Sequence, residues 1–165
     1  MESKTKILGH PAHQILVVFP LGLLATSLVF DAISLITRKP KSGEQAQAMV
    51  GAGLVGGLAA APWGMIDWLA IPERTRAKEI GRWHGVGNVI VLSLFGASWL
   101  TRRNAPEKLG GSPFLLSLLG GGLAMLTAWL GGELVDRLGV GVDDGAHLNA
   151  PSSLSGLPAS DTSLE

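Results

Sequence analysis

Residues 9–37 read GHPAHQILVVFPLGLLATSLVFDAISLIT, and this stretch decides the fold. After two histidines around a proline, the run stays apolar for longer than a soluble core helix needs, and it matches the ~20 residues that cross a bilayer core. Its ends differ chemically. His10 and His13 stand at one end, and Asp31 followed by Arg38, Lys39 and Lys41 at the other. His10 precedes Pro11, which disfavours helix at His10 and suits the first helical turn itself, so a helix is expected from Pro11. Pro20 should kink it.

Three further runs of the same character follow. The expected spans are residues 13–37, 48–71, 84–101 and 112–131, making residues 1–138 one membrane domain and 139–165 a flexible polar tail. A polar loop is expected over 37–47, a charged connector over 72–82 with part of it lying in the interface, and a basic connector over 101–111. Ser112-Pro113 has the form of a cap followed by a proline in the first turn. The expected fold is therefore all-α, an integral-membrane bundle of four transmembrane helices with a disordered C-terminal tail. The 47% hydrophobic content and 16% charged content agree, because the charges fall between the apolar runs.

Composition also excludes chemistries. A formal net charge of zero gives no reason to expect nucleic acid. With no cysteine there are no disulfides, thiolate metal sites, iron–sulfur clusters or covalently attached c-type haem. The absence of tyrosine removes any tyrosyl relay. No GxSxG, HExxH, P-loop or strand-preceded GxGxxG occurs, so no catalytic residue is assigned. The first apolar segment is long and lacks a small-residue cleavage site, and it reads as a retained span rather than a signal peptide.

Alternating span direction sorts the polar residues. His10, His13, Asp67, His84, Asn88, Glu133 and Asp136 fall at the membrane face that carries the termini, with Trp63, Trp68, Trp83 and Trp129. Asp31 lies about 27 Å from His13 along the helix and cannot join them; it is expected to pair with Arg102 or Arg103. Lys and Arg divide evenly between the two faces and leave orientation open.

Three histidines with Asp67 and Glu133 are suitable ligands for a divalent metal, the set being His10, His13, His84, Asp67 and Glu133. His13 and His84, on different helices, are alternatively axial ligands to one b-type haem, with Arg82 or Arg137 pairing with propionates. The cofactor-free alternative is a structural polar network that stitches the helix ends, with Asp67 paired to Arg82 or Arg137. Gly53 and Gly57 give a GxxxG spacing, read as packing within the bundle. His147 reads as a solvated tail residue.

GHPAHQILVVFPLGLLATSLVFD, APWGMIDWLAIPERTRAK, WHGVGN and WLGGELVDRLGVGVD together resemble the bacterial membrane proteins grouped as domain of unknown function 2231, over roughly residues 8–144. The resemblance implies four transmembrane helices in a bacterial cytoplasmic membrane and no established activity. It also implies association with Rieske and cytochrome modules, hence a redox protein partner. This chain departs from the family's common pattern at Val18 and Leu138, where many members carry further histidines.

Overall fold

The computed structural model describes residues 1–162. A polar lead carries a two-residue antiparallel bridge, β1 (Lys6–Ile7) to β2 (His10–Pro11). Helices α1 (Ala12–Leu16), α2 (Val18–Thr37), α3 (Pro40–Ala70), α4 (Arg76–Arg102) and α5 (Gly111–Gly132) follow, and a π-helical turn at Glu133–Arg137 extends the last of them. Four segments are long and apolar enough to cross a membrane: Ala12–Thr37, Pro40–Ala70, Arg76–Arg102 and Gly111–Arg137.

The proline in the first span acts one turn before its own position. Pro20 lacks the N–H that would bond Leu16, and its ring crowds that carbonyl. The helix accordingly breaks between Leu16 and Val18 and resumes through Leu21 N–H to Val17 O at 3.2 Å. Pro62 is instead carried inside α3 without interrupting it.

Several expected boundaries shift. Pro11 is bridged to Lys6 and caps α1 rather than opening it. The expected loop over 37–47 is mostly helix: Arg38 takes the left-handed conformation (φ 54°), Lys39 is extended, and Pro40 opens α3. Proline at the first position and the helix-forming Glu44–Met49 explain why polar residues there continue a helix. Residues 76–82 are likewise the first turns of α4, capped by Thr75, whose Oγ1 accepts from Lys78 N–H at 3.1 Å. α5 begins after Gly110, without a side-chain cap from Ser112.

α2 packs along α3 and α4 along α5; α3 against α4 joins the two hairpins, and α1 lies on α3. The centre is Leu24, Val50, Val91 and Phe95, with Leu28, Leu54, Leu92, Leu123 and Ala124 around it. Outside this small core the usual partition is inverted. Ser27, Asp31, Ser98, Arg102, Ser117 and Thr127 are buried, while Val18, Phe19, Val55, Leu58, Val89, Met125 and Leu126 are exposed. An outward apolar coat over a polar, close-packed interior is what lipid as solvent selects. The GxxxG pair serves this packing within the chain: Gly53 faces Leu24 of α2 and Gly57 faces Leu92 of α4.

Asp31 pairs with Arg102, one of its two expected partners, at 2.5 Å with both side chains essentially inaccessible. Beyond Arg137 the described residues form turns only, and they lie back on the lead. Met1 ammonium donates to Gly139 O, Gly141 N–H to Met1 O (2.9 Å each), and Ser153 Oγ to Leu8 O at 3.1 Å. Residues 163–165 of the expected tail lie outside the described residues.

Candidate functional site

α1 carries His13 against α3, and α4 carries His84 against α5. His13 Nδ1 stands 3.0 Å from Ala60 O, and His84 Nδ1 stands 2.8 Å from Thr127 O. A carbonyl only accepts, so each ring donates its Nδ1–H and turns Nε2 the other way. The space for the rings comes from glycine. A Cβ on Gly64 would stand 2.8 Å from His13 Nδ1, and one on Gly131 would stand 3.1 Å from His84 Cε1. The two rings meet edge to face, with centroids 6.3 Å apart.

Around His84 the polar groups close into a ladder. Asn88, one turn further along α4, donates Nδ2–H to His84 Nε2 at 3.0 Å. Thr127 Oγ1 lies 3.0 Å from both Asn88 Oδ1 and Ala124 O, and its one hydrogen is shared between them. His13 Nε2 makes no hydrogen bond among the described residues.

The other expected ligands sit elsewhere. Asp67 is the anchor of the N-terminal lead. It accepts from Ser3 Oγ at 2.7 and 2.9 Å and from Lys4 N–H at 2.7 Å, rather than from Arg82 or Arg137. Glu133 binds Arg76 at 2.5 Å. His10 is exposed and lies 3.4 Å from Ser153 Oγ. Arg82 lies 3.7 Å from Glu79 and over Trp83, and Arg137 is exposed on the π-turn. Of the five residues expected as metal ligands, only His13 and His84 therefore come together. Among the described residues no group of three or more His, Asp or Glu side chains is placed to hold a metal ion.

Four helices' ends at this face are tied by local devices. Lys78 lies across Trp68 (4.4 Å to the ring centroid) and donates to Trp68 O and Ile71 O, which satisfies the orphan carbonyls at the end of α3. Trp68 returns an Nε1–H bond to Lys78 O at 3.1 Å. Trp68 is thus a packing residue, whereas Trp63, Trp83 and Trp129 are exposed, as an interfacial belt requires.

Lys6 clasps the lead to the tail, reaching Asp143 at 2.5 Å and Glu2 at 3.0 Å. The Asp143 and Glu2 carboxylates hold the Lys6 ammonium above its ordinary range, and the hydrogen bond from Lys6, helped by Asp144 N–H, holds Glu2 below its own. A lowered acid pKa contributes in full above the unfolded value and a raised ammonium pKa in full below it, each fading as pH passes on through the folded value. The clasp is therefore expected to be complete between about pH 4.5 and 10.5 and to loosen outside that window. At pH 7, Lys6→Ala should speed amide exchange at Gly141 by roughly two- to fivefold, the range of an exposed pair, with the gain shrinking in high salt.

The architecture and this polar face define a polytopic membrane protein with four apolar helices. The chain matches the predicted membrane protein family DUF2231 over residues 9–144. It belongs to that family. No curated protein and no solved structure matches it.

Proposed function

We propose that this chain is a small redox-associated subunit of the bacterial cytoplasmic membrane, whose working centre is the His13–His84 pair. That pair binds the iron of haem b or one late first-row metal ion. The observation that carries this reading is the shared Nδ1–carbonyl hydrogen bonding of the two rings. Ligating histidines are typically fixed by donating the other ring N–H to a carbonyl or carboxylate, and both residues do so to helix carbonyls. A centroid separation of 6.3 Å is within reach of two imidazoles that share one metal through bonds of about 2.0–2.1 Å. With Asp67 and Glu133 held by other partners, the donor set is imidazole only, which suits iron, copper or zinc and not magnesium or calcium. His84 offers its Nε2 once Asn88 turns away. Bound iron would supply one-electron transfer.

A specific observation favours a second reading, a cofactor-free protein whose polar residues only join the helices. The Asn88 amide already satisfies His84 Nε2 and completes the Thr127–Asn88–His84 ladder.

Absorption spectra of detergent-purified protein, oxidised and dithionite-reduced, with elemental analysis of the same samples, separate the two. We expect a Soret band or stoichiometric metal in the parent protein, and its loss in His13→Ala and in His84→Ala. Asn88→Ala should retain the cofactor, since it frees the His84 lone pair. A colourless, metal-free protein after cofactor-replete expression would establish the second reading.

A further inference from the structure

The face opposite the histidines holds a different kind of site. Where α2 ends against the link between α4 and α5, a cavity of about 350 Å³ is lined by Ser34, Leu35, Arg38, Glu107, Lys108 and Leu109. That volume lies within the range of small-ligand sites. Its depth in the molecule is set by the sequence. The apolar run of α2 ends at Thr37, so Arg38 emerges where hydrocarbon gives way to headgroups, while Leu35 lies one residue row inside.

Carboxylate partners are more frequent for the cations of the histidine face than for those of the opposite one. On the histidine face Lys6, Arg76, Lys78 and Arg82 have carboxylate partners, and no ion pair forms at Lys4, Arg74 or Arg137 among the described residues. On the opposite face Arg102 is neutralised internally by Asp31, and no ion pair forms at Arg38 or Lys108 among the described residues. Lys39, Lys41 and Arg103, near in sequence to its lining residues, are exposed. Glu107 is its single acid. Two unpaired cations at headgroup depth, above leucines and beside a serine hydroxyl, leave an oxyanion carrying an acyl chain as the complement that fits. Basic pockets between helices at a membrane face bind anionic headgroups in this way.

We infer that this cavity is a binding site for the phosphate headgroup of an anionic phospholipid, with Arg38 and Lys108 as its cationic arms. Arg38 ends α2 in the left-handed conformation, its N–H bonded to Ser34 O at 2.8 Å, and its side chain lines the cavity. Neither residue has another assigned task.

The test exchanges the full-length protein into micelles that hold equal amounts of phosphatidylglycerol and phosphatidylcholine, then measures the lipid that remains bound after gel filtration. Phosphatidylglycerol should be retained in preference. Arg38→Gln with Lys108→Gln should lower that preference roughly 30-fold, two cations' worth at the membrane surface. Lys4→Gln with Arg137→Gln, on the other face, should leave it intact, and Glu107→Gln should strengthen it even if the double variant fails to fold. Inorganic phosphate at millimolar concentration should not displace the lipid. Equal retention of the two lipids, displacement by phosphate, or the same loss in both double variants would each overturn the assignment.

Discussion

Replacing Arg102 with methionine is expected to cost about 3–5 kcal/mol, the penalty of leaving a buried carboxylate without its counter-charge. Asp31 and Arg102 are among the most deeply buried side chains of the protein, at 0% and 3% exposure. Their one bond, Nη1 to Oδ1, does not use the whole of either group. Asp31 Oδ2 and Arg102 Nε and Nη2 are buried and have no hydrogen-bond partner among the described residues. The pair is therefore held at the expense of incomplete hydrogen bonding, and that expense decides what a double replacement does. Asp31→Leu with Arg102→Met removes both charges and all the orphaned atoms. It should restore the midpoint of denaturant unfolding in micelles to the parent value or above it. If the double variant were as unstable as the single one, the buried pair would owe its worth to geometry that leucine and methionine cannot supply, and the charge argument would fail.

The second large effect lies at the joint between α4 and α5. Phe95 is fully buried, and a Cβ placed on Gly120 would stand 2.9 Å from its ring. Association of helices in lipid rests on this kind of close packing, because the hydrocarbon outside is as apolar as the side chains inside. Gly120→Val should therefore cost about 1–3 kcal/mol by overpacking. Phe95→Ala should cost about 3–5 kcal/mol by leaving a cavity. The two changes act on one volume with opposite sign. Combined, they should be clearly less damaging than the sum of the singles in a double-mutant cycle on unfolding midpoints. Strict additivity would mean that the two residues do not share that space.

How far the sequence could be read followed the kind of signal each feature leaves. Four apolar runs, the first longer than a soluble core helix needs, announced the spans. The only deep acid in the first span, with arginines at the far end of the third, announced the Asp31–Arg102 pair. Alternating span direction was enough to bring His13 and His84 to one face, and spacing along α4 was enough to put Asn88 beside His84. The helix ends were harder. Pro40 opens a helix whose next residues are polar, and polarity there was read as a loop. The partners of the histidines were hidden for another reason: Ala60 and Thr127 act through backbone carbonyls, which carry no side-chain signature. Gly64 and Gly131 were legible as small residues but not as the floor beneath two rings. Asp67 was expected to seek an arginine, because a lone carboxylate near a bilayer invites a counter-charge. Its needs are met by Ser3 and the Lys4 amide, through a fold-back of the lead that no local pattern records.

Two residues, Arg38 and Lys39, are all that separates α2 from α3. A turn this tight leaves the two helices no freedom to separate at this end. Little soluble chain is left outside for a protease, an epitope or a glycan. The link between α4 and α5 runs from Arg103 to Gly110 and is the longer tether at the same face. A topology reporter placed there samples that side of the membrane without prising apart a packed turn.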